Sequence, residues 1–320
     1  MKIGFLGLGK LGLPVALAVE SKGHEVIGTD INETTLRDIR FKNLTYREEG
    51  AEELLKKSKL KLKSLNKIVK ESDIIFVPIQ TPHEKKYEGI TRIPKERADF
   101  NYEYLVNGIK ELNKEIEKQG KDKTVIIIST VLPGTISKFI KPILGTHLKL
   151  CYNPFFIAMG TTINDFLNSE IILFGVDDES AAKKAEEFYK TINKTPFYKT
   201  TLENAELIKV VYNTFISTKI AMMNTVMETC HHLPNTNVDD VTEALALCTD
   251  RIISKKYLYG GMGDGGGCHP RDNIALSYLA QKHNLSYNWY DNIMKQRENQ
   301  TEWLADLIIK HKGDKQINIL

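Results

Sequence analysis

Gly7-Leu8-Gly9-Lys10-Leu11-Gly12 is the stretch from which the fold is read. It fits G-x-G-x-x-G, a pattern that gains meaning only from its surroundings. Lys2–Leu6 before it reads as a buried strand, and Leu11–Lys22 after it as a helix. In a strand–turn–helix unit the first glycine permits the tight turn and the second lets the backbone approach a pyrophosphate. The third lets the helix pack closely on the sheet. The pyrophosphate then lies at the helix N-terminus, where free N–H groups and the helix dipole favour anions. Lys10 and Leu11 sit at that turn. Glu25–Thr29 reads as the second strand and ends on Asp30, about twenty residues beyond the loop, where an acid binds ribose hydroxyls. Ile31 and Asn32 follow, so no arginine stands ready for a 2′-phosphate. The pattern favours NAD over NADP, with FAD as the alternative that the glycines alone leave open.

Working outward, apolar runs recur at Ile74–Val77, Val125–Ile128, Lys149–Cys151 and Ile171–Phe174, separated by stretches of helical spacing. Such alternation predicts an α/β fold, a Rossmann-type doubly wound parallel sheet with helices on both faces. From about Leu202 the character changes. Leu202–His231 has helical spacing and is apolar almost all round, through Met222, Met223, Val226 and Met227. A helix with so little polar face has to be covered by its own domain or by a partner subunit. Asp239–Leu247, Arg271–Gln281 and Trp289–Lys310 read as further helices. The expected organisation is a dinucleotide-binding domain over 1–200, then an all-helical domain with one long central helix over 201–312. A short extended segment follows at 313–320.

Composition narrows the function. Forty-four basic residues face 41 acidic ones, a formal charge of +3, which gives no reason to invoke nucleic acid or an anionic membrane. The basic run around Lys56–Lys70 alternates with Leu and Ile and is expected to be a solvated helix face. No apolar run of the length needed to span a bilayer occurs. Cys151, Cys230, Cys248 and Cys268 are scattered without a CxxC pair, which argues for a reducing cytosol and against disulfides or structural zinc.

One cysteine differs from the rest. Gly260-Gly261-Met262-Gly263-Asp264-Gly265-Gly266-Gly267-Cys268-His269-Pro270-Arg271-Asp272 combines a glycine-rich approach with a helix start at Pro270. A thiol at a helix N-terminus ionises more easily and becomes a nucleophile. Asp272, four residues on, falls on the same helix face. The other three cysteines read as small buried residues.

This segment resembles the active-site signature of the UDP-glucose/GDP-mannose dehydrogenase family. Further marks occur in the family's order: Gly7–Gly12 with Asp30, then Val77-Pro78-Ile79-Gln80-Thr81-Pro82. Ser129-Thr130-Val131-Leu132-Pro133-Gly134-Thr135 follows, then Ala205-Glu206-Leu207-Ile208-Lys209 leading to Asn213, and Asp250-Arg251-Ile252. The resemblance covers nearly the whole chain. It implies four-electron oxidation of a nucleotide sugar's primary alcohol to a carboxylate through a thiohemiacetal and a thioester on Cys268. Lys209 and Asn213 would stabilise the oxyanion, Asp272 would orient or deprotonate water, and Thr130 would hold that water. Thr81, Pro82 and Thr130 would also border the cofactor. Asn153, Phe155, Phe156, Gly267 and Arg271 would line the substrate.

The chain also departs from the family. Where the family reads Asn-Pro-Glu-Phe-Leu-Arg-Glu-Gly, this sequence reads Asn153-Pro154-Phe155-Phe156-Ile157-Ala158-Met159-Gly160. Both glutamates and the arginine are absent, and phenylalanine cannot act as a base. Arg271 stands for the signature's lysine, and His269 for an apolar residue. His269 becomes a candidate base because a free histidine titrates near neutrality. Glu206 is another acid nearby. Two alternatives stay open: a two-electron dehydrogenase of the β-hydroxyacid type, and an NAD-binding relative without turnover. The nearly continuous apolar circumference of Leu202–His231, which one small helical domain would not fully cover, predicts a homodimer joined largely through that helix. The resemblance also implies that a third, nucleotide-closing domain is missing after Lys310, with Lys315–Leu320 as the strand that would begin it.

Overall fold

The computed structural model describes residues 1–82, 98–253, 280–281, 283–313 and 315–316. The chain divides into two compact units, Met1–Asn213 and Thr214–Leu320.

The first unit is an eight-stranded sheet with the order β3-β2-β1-β4-β5-β6-β7-β8. The strands are β1 (Lys2–Leu6), β2 (Glu25–Thr29), β3 (Lys61–Leu62), β4 (Ile74–Val77), β5 (Lys123–Ile127), β6 (Leu148–Tyr152), β7 (Ile172–Val176) and β8 (Phe197–Thr200). β1, β2 and β4 run where the sequence predicts them. Their apolar runs alternate between two buried faces. Ile74 and Phe76 join the cluster around Leu13, Val15 and Phe188, whereas Ile75 and Val77 join the one around Leu105, Ile109 and Leu112. Two cores on one sheet make the doubly wound fold. Fully burying a side chain such as Phe76 stabilises by roughly 1.5–3 kcal/mol.

Helices α1 (Gly12–Ser21), α2 (Glu33–Arg40), α3 (Ala51–Lys57), α4 (Leu65–Glu71), α5 (Glu103–Gln119), α6 (Thr162–Leu167) and α7 (Glu179–Tyr189) cover the sheet. Asn32 caps α2 by accepting from the N–H groups of Thr34 and Thr35, and Asp178 caps α7 through Ala181. Gly120, left-handed at φ 61°, ends α5.

Two local expectations are corrected. The basic run is not one helix face: α3 stops at Lys57, Lys61–Leu62 pair with Ile27–Gly28, and α4 begins at Leu65. Edge pairing to β2 overrides the helical spacing there. The sheet is also not wholly parallel, because β7 pairs antiparallel with β6. The connection between them carries only the six-residue α6 and leaves and re-enters at the same edge of the sheet. A strand entered from that edge runs back against its neighbour.

The second unit is helical. α8 (Leu202–His232) starts in the first unit and continues into the second, followed by α9 (Val238–Ala246) and α10 (Trp289–Lys312). Asn237 and Asn288 cap the latter two. No helix among the described residues is long and apolar enough to cross a membrane. The expected helix Arg271–Gln281 and the strand Lys315–Leu320 lie largely outside the described residues.

Candidate active site

The parallel strands present their carboxyl ends on one edge, where loops after β1, β4, β5 and β6 meet, at the place where strand order reverses between β1 and β4. Gly7 adopts φ 117° and donates to the Thr29 carbonyl at 2.9 Å. A Cβ on Gly12 would lie 2.2 Å from the Gly7 carbonyl oxygen, so only glycine lets α1 close on the loop. A Cβ on Gly9 would meet nothing within 4 Å, so the space above the second glycine is open. Leu11 offers α1 no side-chain cap, and Lys10 is exposed beside it. The Asp30 carboxylate accepts from Leu8 N at 2.7 Å and Asn32 N at 2.8 Å, which ties the glycine loop to the end of β2. Tight first and third glycines, an open second one and a fixed acid fit a pyrophosphate and a ribose.

The loops after β4 and β5 are joined. The Thr81 hydroxyl donates to the Thr130 carbonyl at 2.6 Å, and the Ser129 hydroxyl to the Ile79 carbonyl. Pro82 accepts from Asn101 N at 2.7 Å, and Thr130 is half-buried. Across from them stands the first part of α8. Lys209 is only 7% exposed, has no ion-pair partner among the described residues, and rests its ammonium 5.2 Å from the Phe156 ring centroid. Burial holds its pKa below the ordinary lysine value. Tyr212 also packs on Phe156, centroids 4.6 Å apart. Asn213 is one turn beyond Lys209 on α8.

The loop after β6 is held from within. Asn153 is buried; its amide donates to the Leu173 carbonyl at 2.9 Å and its carbonyl oxygen accepts from the Tyr189 hydroxyl. Phe155 packs in the aromatic core, 5.4 Å from Phe166 and 6.4 Å from Phe76. The position at which the family carries a glutamate is therefore a core position here, while Phe156 is the loop's contact with Lys209. Met159 is exposed.

Two structural residues, Tyr189 and Glu48, escaped the sequence reading, and a third, Glu206, was read only as a nearby acid. Glu206 is fully buried and accepts from Gly134 N at 2.5 Å and Ile136 N at 2.8 Å. Both its oxygens are committed to the loop after β5, so it does not replace the absent loop glutamates. Tyr189 fixes Asn153, and Glu48 grips Gly160 and Thr162. Their partners lie 36 to 114 positions away in sequence, a separation that no local pattern marks. Cys151 is buried, and burial pushes its thiol up to about 12, as expected for an inert cysteine, but Cys230 is half-buried and Cys248 exposed, against the expectation that both are buried. Cys268, Gly267, His269, Arg271 and Asp272 lie outside the described residues.

A dinucleotide-binding sheet joined to a helix that carries a buried lysine with no ion-pair partner among the described residues defines the class: an NAD-dependent oxidoreductase of two parts. The matches agree. Residues 1–193 match the NAD-binding domain of the UDP-glucose/GDP-mannose dehydrogenase family, and residues 203–299 match its central domain. The chain belongs to that family. It is 28% identical to the UDP-glucose 6-dehydrogenase of Rickettsia conorii, over 96% of this chain and 69% of that protein. To the GDP-mannose 6-dehydrogenase of Pseudomonas aeruginosa it is 27% identical, over 97% and 71%. The structure superposes with a TM-score of 0.88 on a ternary complex of GDP-mannose dehydrogenase from Pseudomonas aeruginosa, at 26% identity over 97% of this chain and 71% of that one.

Proposed function

We propose that the protein oxidises the primary alcohol of a nucleotide sugar to a carboxylate at the expense of two NAD. The observation that carries this reading is Lys209, a buried ammonium without a carboxylate partner among the described residues, standing on Phe156 in a chain of this family. Burying an unpaired charge costs stability, so a positive group held this way is suited to an oxyanion. NAD, when bound, accepts a hydride from the sugar in each of two rounds. Gly7, Gly9 and Gly12 admit the pyrophosphate, and Asp30 receives ribose hydroxyls.

The balance is RCH2OH + 2 NAD+ + H2O → RCOO− + 2 NADH + 3 H+. After the first round the Cys268 thiolate adds to the aldehyde carbon and forms a C–S bond. The resulting oxyanion is met by Lys209 and Asn213. The second hydride leaves that carbon and a thioester results. Water held by Thr130 and Asp272 then breaks the C–S bond and returns the thiolate. Asn153, Phe155 and Phe156 shape the sugar side through their loop, and Gly267 and Arg271 are assigned to the same substrate by the family resemblance. A homodimer formed through α8 accompanies this reading: Leu207, Val211 and Phe215 recur at helical spacing and are exposed. Such an interface buries at least about 1,200 Å² in all, and a monomer in sedimentation at micromolar concentration would remove it.

The test is NADH formed per nucleotide sugar consumed, across UDP- and GDP-linked sugars. Two supports the proposal; one points to a two-electron dehydrogenase, and none to a binding protein without turnover.

A further inference from the structure

We infer that Glu206 is a positioning residue that sets the loop carrying Thr130 against the helix carrying Lys209; this rests on the nucleotide-sugar dehydrogenase reading and deepens it. Glu206 lies one turn before Lys209 on α8, and its side chain is fully buried. Its two oxygens accept from two backbone N–H groups of one loop, Gly134 and Ile136. Gly134 has φ 86°, a left-handed turn that brings successive N–H groups toward a common acceptor. Four residues earlier the same loop holds Thr130, whose carbonyl accepts from Thr81. The loop is thus fixed at one end to the β4 loop and at the other to α8. One helical turn beyond the clamp, the Ser137 hydroxyl donates to Glu203 at 2.5 Å and continues the seam.

The chemistry of the acceptor matters. A carboxylate can accept both N–H groups at once. Glutamine accepts one and turns its own NH2 toward the other, donor against donor. A neutral or apolar residue would pack α8 on the sheet without the cost of a buried carboxylate, whose pKa burial raises. A charge in that place is useful where the geometry of the loop, rather than burial alone, is what counts.

The experiment uses the whole chain with Glu206→Gln, and Leu202→Ala as a destabilising control. Leu202 is buried in the same end of α8 without bonding the loop. NAD dissociation constant, kcat, KM for the nucleotide sugar, and amide exchange of the 131–140 peptide are measured on each. In Glu206→Gln, exchange at Gly134 and Ile136 speeds up and kcat per NAD-binding site falls by at least about tenfold. The NAD dissociation constant stays within about twofold, because the glycine loop is untouched. Leu202→Ala lowers thermal stability and leaves kcat per site unchanged. Faster exchange with unchanged kcat overturns the positioning role, and unchanged exchange overturns the clamp itself. If Glu206→Gln does not fold, Glu206→Asp keeps the charge but withdraws it by one methylene, and the same criteria apply. A wild-type chain that makes no NADH from any nucleotide sugar defeats the functional reading, and with it the positioning role. The exchange arm still decides the clamp.

Discussion

The ammonium of Lys209, itself a buried residue, stands over the face of Phe156, 5.2 Å from its centroid. An aromatic face attracts a cation without neutralising it, so the lysine stays available to a developing negative charge.

This arrangement trades stability for function. Folding lowers the Lys209 pKa below 10.5. The charged form is therefore disfavoured in the folded state, and the penalty is fully present at neutral pH. It is relieved only as pH rises through the folded value toward the unfolded one. Lys209→Met removes the buried charge and keeps the volume. Oxidation of nucleotide sugar should be lost while the melting temperature at pH 7 rises, by roughly 2–4 °C for each kcal/mol recovered. A lower melting temperature in this variant would show that Lys209 is paired and structural.

Asp30 has two duties. It accepts from Leu8 N at 2.7 Å and so shapes the glycine loop, and in the proposed reading it also receives ribose hydroxyls. Asp30→Ala should weaken NAD binding by about 10- to 100-fold, the equivalent of a charge-assisted hydrogen bond worth roughly 1.5–3 kcal/mol. NADP should bind the unmutated protein more weakly than NAD. Calorimetry with both dinucleotides checks each statement, and equal affinities would refute the assignment of preference to Asp30.

Acid sensitivity should originate partly at His24. The ring is 8% exposed, lies 2.7 Å from the Thr191 hydroxyl through Nε2, and packs 5.3 Å from Phe188. Burial, and after it the charge of the N-terminus, hold its pKa below 6.5. The folded chain keeps the ring neutral whereas the unfolded chain takes up a proton below that value. The stability contribution is thus complete above about pH 6.5 and is lost as pH falls through the window beneath it. Melting temperatures from pH 7.5 to 5 should decline, and His24→Gln should flatten that slope. Equal slopes would assign the acid limb to other groups.

Much of the first unit was legible because local and global preferences agree. β1, β2 and β4 are short apolar runs ended by glycine, proline or acid, and both faces are buried, so no register competes. β8 went unread because Phe197-Tyr198-Lys199-Thr200 is half exposed and lacks an apolar pattern. β3 was masked by lysines whose helical spacing is broken by two residues of edge pairing. At the site, the glycines and Asp30 stand out through residue type and spacing, whereas Thr130 and Lys209 stand out only through the resemblance. The buried position of Phe155, the double acceptor at Glu206 and the Asn153–Tyr189 bond do not, since each is decided by a partner distant in the chain.

The segment after β6 gives the last expectation. At its near end Asn153 is locked to Leu173 and Tyr189. Its far end is held by Glu48, which is 6% exposed and belongs to the loop between α2 and α3. Glu48 accepts from Gly160 N at 2.9 Å, Thr162 N at 2.6 Å and the Thr162 hydroxyl at 3.0 Å, while Glu49 N donates to the Gly160 carbonyl at 2.9 Å. Gly160 has φ 101°, which L side chains rarely adopt. Between these two anchors lies Phe156, the platform of Lys209. Glu48→Ala leaves three donors without their acceptor and should cost about 2–3 kcal/mol, seen as a fall of roughly 4–12 °C in melting temperature. Because the NAD loop is separate, the NAD dissociation constant should hardly move, whereas KM for the nucleotide sugar should rise as the loop loosens. Glu48→Gln, which retains one oxygen acceptor, should fall between the two. A stable Glu48→Ala protein with unchanged KM would mean that the 153–162 loop is held by its apolar contacts alone and that the carboxylate is dispensable.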